Sequence, residues 1–156
     1  MLEELFEEVY EKFKLNFYRS IFSGFEYRDA SLSALETFCV EVIYALERPT
    51  INELALFLNI SQPNAAYKVA SLVKKGYVVK VQSDADKREY YLELTDRFYD
   101  YLKIKNEYVD QVISRFKERF NEEDIEKLEY FLKVISDELM PEVTSFIRER
   151  RHEEEV

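Results

Sequence analysis

Apolar residues recur at helical spacing through most of this chain. Leu2, Phe6, Val9, Phe13 and Phe17 follow one another at steps of four, three, four and four, laying one stripe along an amphipathic helix that ends near Gly24. A second helix is predicted from a cap at Ser31 or Ser33, with Leu35, Phe38, Cys39, Val42, Ile43 and Leu46 on one side. Arg48-Pro49 closes it, because the residue before a proline is pushed out of the α region. Thr50-Ile51-Asn52-Glu53 is a capping box that opens a short helix through Leu58. After Asn59-Ile60, Ser61 caps the next helix, Pro63 sits in its first turn where an amide proton is not needed, and Gly76 stands just past its end. Two helices so close together predict a helix-turn-helix.

The pattern then changes. Tyr77 to Gln82 and Glu89 to Leu94 are rich in Val, Tyr and Leu and alternate imperfectly, which predicts a hairpin whose tip is the charged stretch Ser83-Asp84-Ala85-Asp86-Lys87-Arg88. Helical spacing returns with Thr95 as cap and Phe98, Tyr101, Leu102, Tyr108, Val112 and Phe116 along the helix. Asn121 caps another helix with a stripe of Leu128, Leu132, Ile135, Leu139, Val143 and Phe146, which Pro141 should kink or restart. From Arg148 onward a mixed-charge run reads as a solvated tail.

Composition narrows the function classes. Two glycines and three prolines in 156 residues favour long helices over an all-β chain, which needs frequent turns. Met1-Leu2-Glu3-Glu4 is acidic where a signal peptide would be basic, and no apolar run reaches the ~20 residues of a membrane span, so a soluble cytoplasmic protein is expected. With one cysteine, Cys39, and one histidine, His152, neither an intrachain disulfide nor a His/Cys metal cluster is expected, and no cofactor is called for. No Gly-rich phosphate loop or serine-elbow motif is present, so the protein is not expected to be an enzyme. The net charge of −10 opposes nucleic-acid binding for the chain as a whole. Its distribution reverses that: Ser61 to Leu92 holds six cations (Lys68, Lys74, Lys75, Lys80, Lys87, Arg88) against three anions, a local balance of +3.

A recognition helix fits the major groove of duplex DNA, and a charged hairpin beside it can reach the neighbouring minor groove. From about Leu32 through Thr95 the residues resemble the MarR family of winged helix-turn-helix regulators. Asp86-Lys87-Arg88 with the downstream Leu94-Thr95 is similar to that family's wing signature. Leu54-Ala55, Ser61 and Leu72-Val73-Lys74-Lys75-Gly76-Tyr77-Val78 resemble its recognition region. The sequence departs from the family pattern at Ala85, after Thr95, and at Ala66-Tyr67, which replace a common hydroxyl-Arg pair.

The resemblance implies a mainly α fold with a small β-hairpin wing, in which residues 32–94 form the DNA-binding module and residues 1–30 and 95–150 a helical dimerisation region. It also implies a homodimer on a pseudo-palindromic operator, repression as the usual outcome, release by a small effector, and insertion of Arg88 into the minor groove with Asp86 orienting it. DNA contacts are expected from Ser61, Gln62, Asn64, Ala65, Lys68, Asp86, Lys87 and Arg88, while Lys74 and Lys75 read equally well as a solvated helix end. Phe17, Tyr18, Phe38 and Tyr44 are candidates to line an effector cavity, although such aromatic stripes also form plain core. Cys39 reads as a buried thiol rather than a redox switch. The rival reading is an acidic winged-helix module that binds another protein and never touches DNA.

Overall fold

The structure is a computed structural model that describes residues 1–24, 32–144 and 147. Its elements are α1 (Leu2–Gly24), α2 (Ala34–Ala45), α3 (Ile51–Leu58), α4 (Gln62–Lys74), β1 (Val78–Gln82), β2 (Tyr90–Leu94), α5 (Asp96–Arg119) and α6 (Glu122–Glu138). The chain divides into two compact units, Met1–Tyr108 and Val109–Val156. Ser31, Phe146, His152 and the mixed-charge tail lie outside the described residues.

In the first unit, capping sets the helix starts. The Ser33 hydroxyl accepts from the Glu36 amide while the Glu36 carboxylate accepts from the Ser33 amide, and Thr50 and Glu53 repeat the arrangement at α3. Asn59 ends α3 in the left-handed region at φ 52°, a conformation that asparagine tolerates. The core gathers Val40 and Ile43 of α2, Leu54 of α3, Val69 and Leu72 of α4, Tyr77, Val78 and Leu92 of the hairpin, and Phe98 of α5. Each such side chain contributes about 1.5–3 kcal/mol by leaving water. The strands pair antiparallel from Val78 with Leu94 to Gln82 with Tyr90. The turn before α3 adds a third edge, since the Leu92 amide donates to the Pro49 carbonyl and Thr50 bridges Tyr91. Glu47 and Arg48 take left-handed φ values of 50° and 69° there, and Arg48 is fixed by a 2.6 Å bond to Glu93 and by the Tyr91 ring.

Glu36 of α2 is the polar junction between α2 and α4. Its carboxylate accepts from Ser71 at 2.5 Å, from Lys75 at 2.7 Å and from the Ser33 amide. Burial alone would raise this carboxyl, but the bonds from Lys75, Ser71 and Ser33 outweigh that effect and hold it at about 2 against an ordinary 4.5. A depressed folded-state value means stability that is present above pH 4.5 and lost as the pH falls toward 2. Urea unfolding at pH 7 and pH 3 should show a loss from this group of about 2 kcal/mol, and Glu36→Gln should flatten that part of the profile. An unchanged slope in the variant would remove Glu36 from the account.

The exit of α4 is clamped to the start of α5. Gly76 sits at φ 80°, where an L side chain is strained, and its carbonyl accepts from the Thr95 hydroxyl at 2.5 Å. Thr95 stands at the start of α5, where its carbonyl accepts from the Phe98 and Tyr99 amides, and its hydroxyl bonds back to the hairpin's entry. Arg97 then donates to the Lys75 carbonyl at 2.9 Å and lies over the Tyr77 ring.

In the second unit, Phe116 and Phe120 pack with ring centroids 4.4 Å apart. The Asn121 side chain accepts from the Asp124 amide, as its sequence position predicts. None of the residues of α6 is buried. After Leu139 and Met140 the chain is helical again over 141–144, so Pro141 restarts the helix.

Candidate nucleic-acid interface

The candidate reading element is α4. Ser61 is its exposed cap and accepts from the Asn64 amide at 3.4 Å, and Pro63 completes the first turn. Ala65, Val69 and Leu72 point into the core, with Ala65 0% exposed. Ala65 therefore cannot meet a base edge, a correction to the sequence reading: its small side chain lets α4 pack closely on its neighbours. Gln62 and Asn64 are exposed, and Lys68 is half-buried on the flank near Cys39. The centre of the outward face belongs to a residue that the sequence reading passed over, Tyr67, at 77% exposure. Its signal was available, since 63, 67, 70 and 74 repeat at steps of four, three and four.

The hairpin tip is built by Ser83. Its buried hydroxyl accepts from the amides of Ala85 and Asp86, and its amide donates to the Glu89 carbonyl. Gln82 ties the far side by donating to the Lys87 carbonyl at 2.6 Å. Asp86 accepts from the Arg88 amide at 2.9 Å and from the guanidinium at 3.2 and 3.3 Å. Those bonds hold the Asp86 carboxyl below the usual carboxylate range. The Arg88 side chain itself is 91% exposed, and Lys87 beside it is exposed as well.

The six cations do not share one role. Lys75 is spent inside the fold on Glu36, whereas Lys74, Lys80 and Lys87 are exposed and form no ion pair among the described residues.

The four effector candidates are not brought together in one cavity. Phe17 packs edge-on against Tyr101 and lies beside Tyr18, and Lys105 sits over its ring. Tyr101 in turn donates to Glu41 at 2.7 Å, and burial together with that bond raises its phenol. Phe38 is 53% exposed. Tyr44 borders a cleft of about 350 Å³ between the end of α2 and β2, which Phe17, Tyr18 and Phe38 do not line, and it also packs on Phe98. Cys39 is buried and burial raises its thiol, the setting of an inert structural cysteine. No helix among the described residues is long and apolar enough to cross a membrane. No group of potential metal ligands occurs among them.

Residues 32–97 match the winged helix DNA-binding domain family. No match was found among curated proteins. Several solved structures share the fold. The transcriptional regulator Tm0710 from Thermotoga maritima is 19% identical with a TM-score of 0.63, over 86% of this chain and 90% of that one. A variant of MepR from a multidrug-resistant Staphylococcus aureus isolate is 15% identical with a TM-score of 0.67, over 90% and 98% of the two chains. Streptococcus pneumoniae FabT, solved in complex with DNA, is 18% identical with a TM-score of 0.58, over 86% and 94%.

Proposed function

We propose that this chain, a winged-helix protein with the fold of MarR-family regulators and a DNA-binding domain over residues 32–97, is a sequence-specific transcriptional regulator working as a homodimer. One observation carries the reading: the Arg88 guanidinium is almost fully exposed yet held by Asp86, at the tip of a hairpin that follows α4 directly in the chain. A guanidinium offers five donors, and Asp86 engages two, leaving three for groove acceptors or phosphates. Lys74, Lys80 and Lys87 supply phosphate neutralisation within a chain that is otherwise acidic.

Dimerisation is supported by uncovered apolar surface at both ends of the chain. On α1, Leu2, Leu5, Phe6 and Val9 are each more than half exposed, and on α6 Phe131 and Leu132 are about half exposed, with Leu139 just beyond it. Apolar faces of this kind mark association sites. Two copies related by a two-fold axis would present two reading helices to half-sites about 34 Å apart on a pseudo-palindrome. Occupancy across a promoter would repress it, and a small effector would release it only by binding one form of the dimer better than the other.

Duplex retention measured across salt concentrations tests the proposal. Log affinity should fall linearly with log salt, with a slope of about −0.9 per phosphate neutralised. Absence of duplex binding at every salt concentration would overturn it in favour of an acidic protein-interaction module.

A further inference from the structure

We propose that Tyr67 is a specificity-determining residue that reads thymine 5-methyl groups in the major groove; this rests on the DNA-binding reading above. Three observations on α4 lead there. Tyr67 is 77% exposed, and neither its ring nor its hydroxyl has a partner among the described residues. Buried tyrosines of this chain differ: the Tyr101 hydroxyl bonds Glu41, and the Tyr77 ring lies beneath Arg97. Second, the exposed neighbours of Tyr67 on its face include the apolar Pro63 and Ala70 one turn to either side, with Val73 at 38%, and the polar groups there are Asn64 before it and Lys74 two turns on. Third, α4 contains no arginine, the residue that most often reads guanine through a bidentate pair.

The chemistry of the groove selects the target. Thymine is the one base that places a methyl group in the major groove, and apolar side chains recognise it by contact. A broad, unpartnered ring with alanine and proline beside it offers that contact, and its single hydroxyl cannot form the bidentate pair that selects guanine. The exposed amides of Gln62 and Asn64, at the start of the same helix, suit adenine N6 and N7. Adenine and thymine readers thus sit within two turns of one helix.

The test compares one duplex with its uracil counterpart. A tightly bound duplex is selected from a randomised pool with the full-length protein, then remade with deoxyuridine for thymine, which deletes the methyl groups and keeps the base pairing. Anisotropy titrations at fixed salt should show about a fourfold loss for each methyl that the ring covers. Tyr67→Ala should bind more weakly and be indifferent to the uracil exchange, whereas Tyr67→Phe should keep both the affinity and the sensitivity. If the wild-type protein binds both duplexes equally, or if Tyr67→Ala keeps its preference for thymine, the assignment is overturned. A loss of affinity in Tyr67→Phe without uracil sensitivity in the wild type would overturn it too, in favour of a hydroxyl contact to phosphate. Those outcomes leave the DNA-binding reading intact; failure to select any duplex overturns both. The wild-type comparison needs no variant to fold.

Discussion

Replacing Leu139 with glutamate is expected to leave the protein monomeric and to cut specific DNA affinity by about a thousandfold or more. Leu139 is 66% exposed in the single chain, so a carboxylate there costs the fold of one copy little. At a dimer interface the same carboxylate loses its water, and an uncompensated buried charge costs about 3–5 kcal/mol. Two-fold symmetry imposes that cost on both copies. A monomer then holds one reading helix and one wing, leaving it near non-specific affinities of about 10⁻⁴–10⁻⁶ M, against about 10⁻⁸–10⁻¹¹ M for specific complexes. Light scattering reports the mass, circular dichroism the retained helicity, and anisotropy the affinity. A variant that stays dimeric and binds as the parent does would move the interface away from this end of α6.

Most of the fold was legible because its signals are local. The caps at Ser33, Thr50, Ser61 and Asn121 each combine a side-chain acceptor with an amide a turn later, so their spacing alone locates the helix starts. The wing was legible for a similar reason, since Asp86 and Arg88 lie two residues apart and their bond closes within the loop. What sequence spacing missed depended on tertiary neighbours. Thr95 stands where a cap is expected, but nothing in its spacing shows that its hydroxyl donates to the carbonyl of Gly76, 19 residues earlier. Ala65 and Tyr67 lie two positions apart on α4, yet one is sealed in the core and the other stands at the centre of the outer face. Only the direction in which α4 packs on α3 separates them. The aromatic residues read as one cavity divide among α1, the exposed side of α2 and the end of α2, because a residue type says what it can line and not where its helix turns.

Arg88→Ala is expected to weaken operator binding by about 1–3 kcal/mol for each wing, with the fold unchanged because the side chain is 91% exposed. With two wings per dimer, a loss of about tenfold at each multiplies to roughly a hundredfold. The comparison with Arg88→Lys identifies the cause. Lysine restores the charge, so the salt slope should recover, but an ammonium lacks the planar fork that Asp86 holds at 3.2 and 3.3 Å, and most of the affinity should stay lost. Asp86→Asn separates orientation from charge in the other direction. It removes an anion from beside the DNA, which favours binding, and it replaces the second of the two oxygens that hold the fork with an NH2 that cannot accept, which disfavours sequence discrimination. Weaker discrimination between operator and random duplex, with affinity for random duplex held or raised, is the expected result for Asp86→Asn. Arg88→Ala binding its operator as tightly as the parent would show that the wing tip does not enter the groove, and the reading of the hairpin would have to be abandoned.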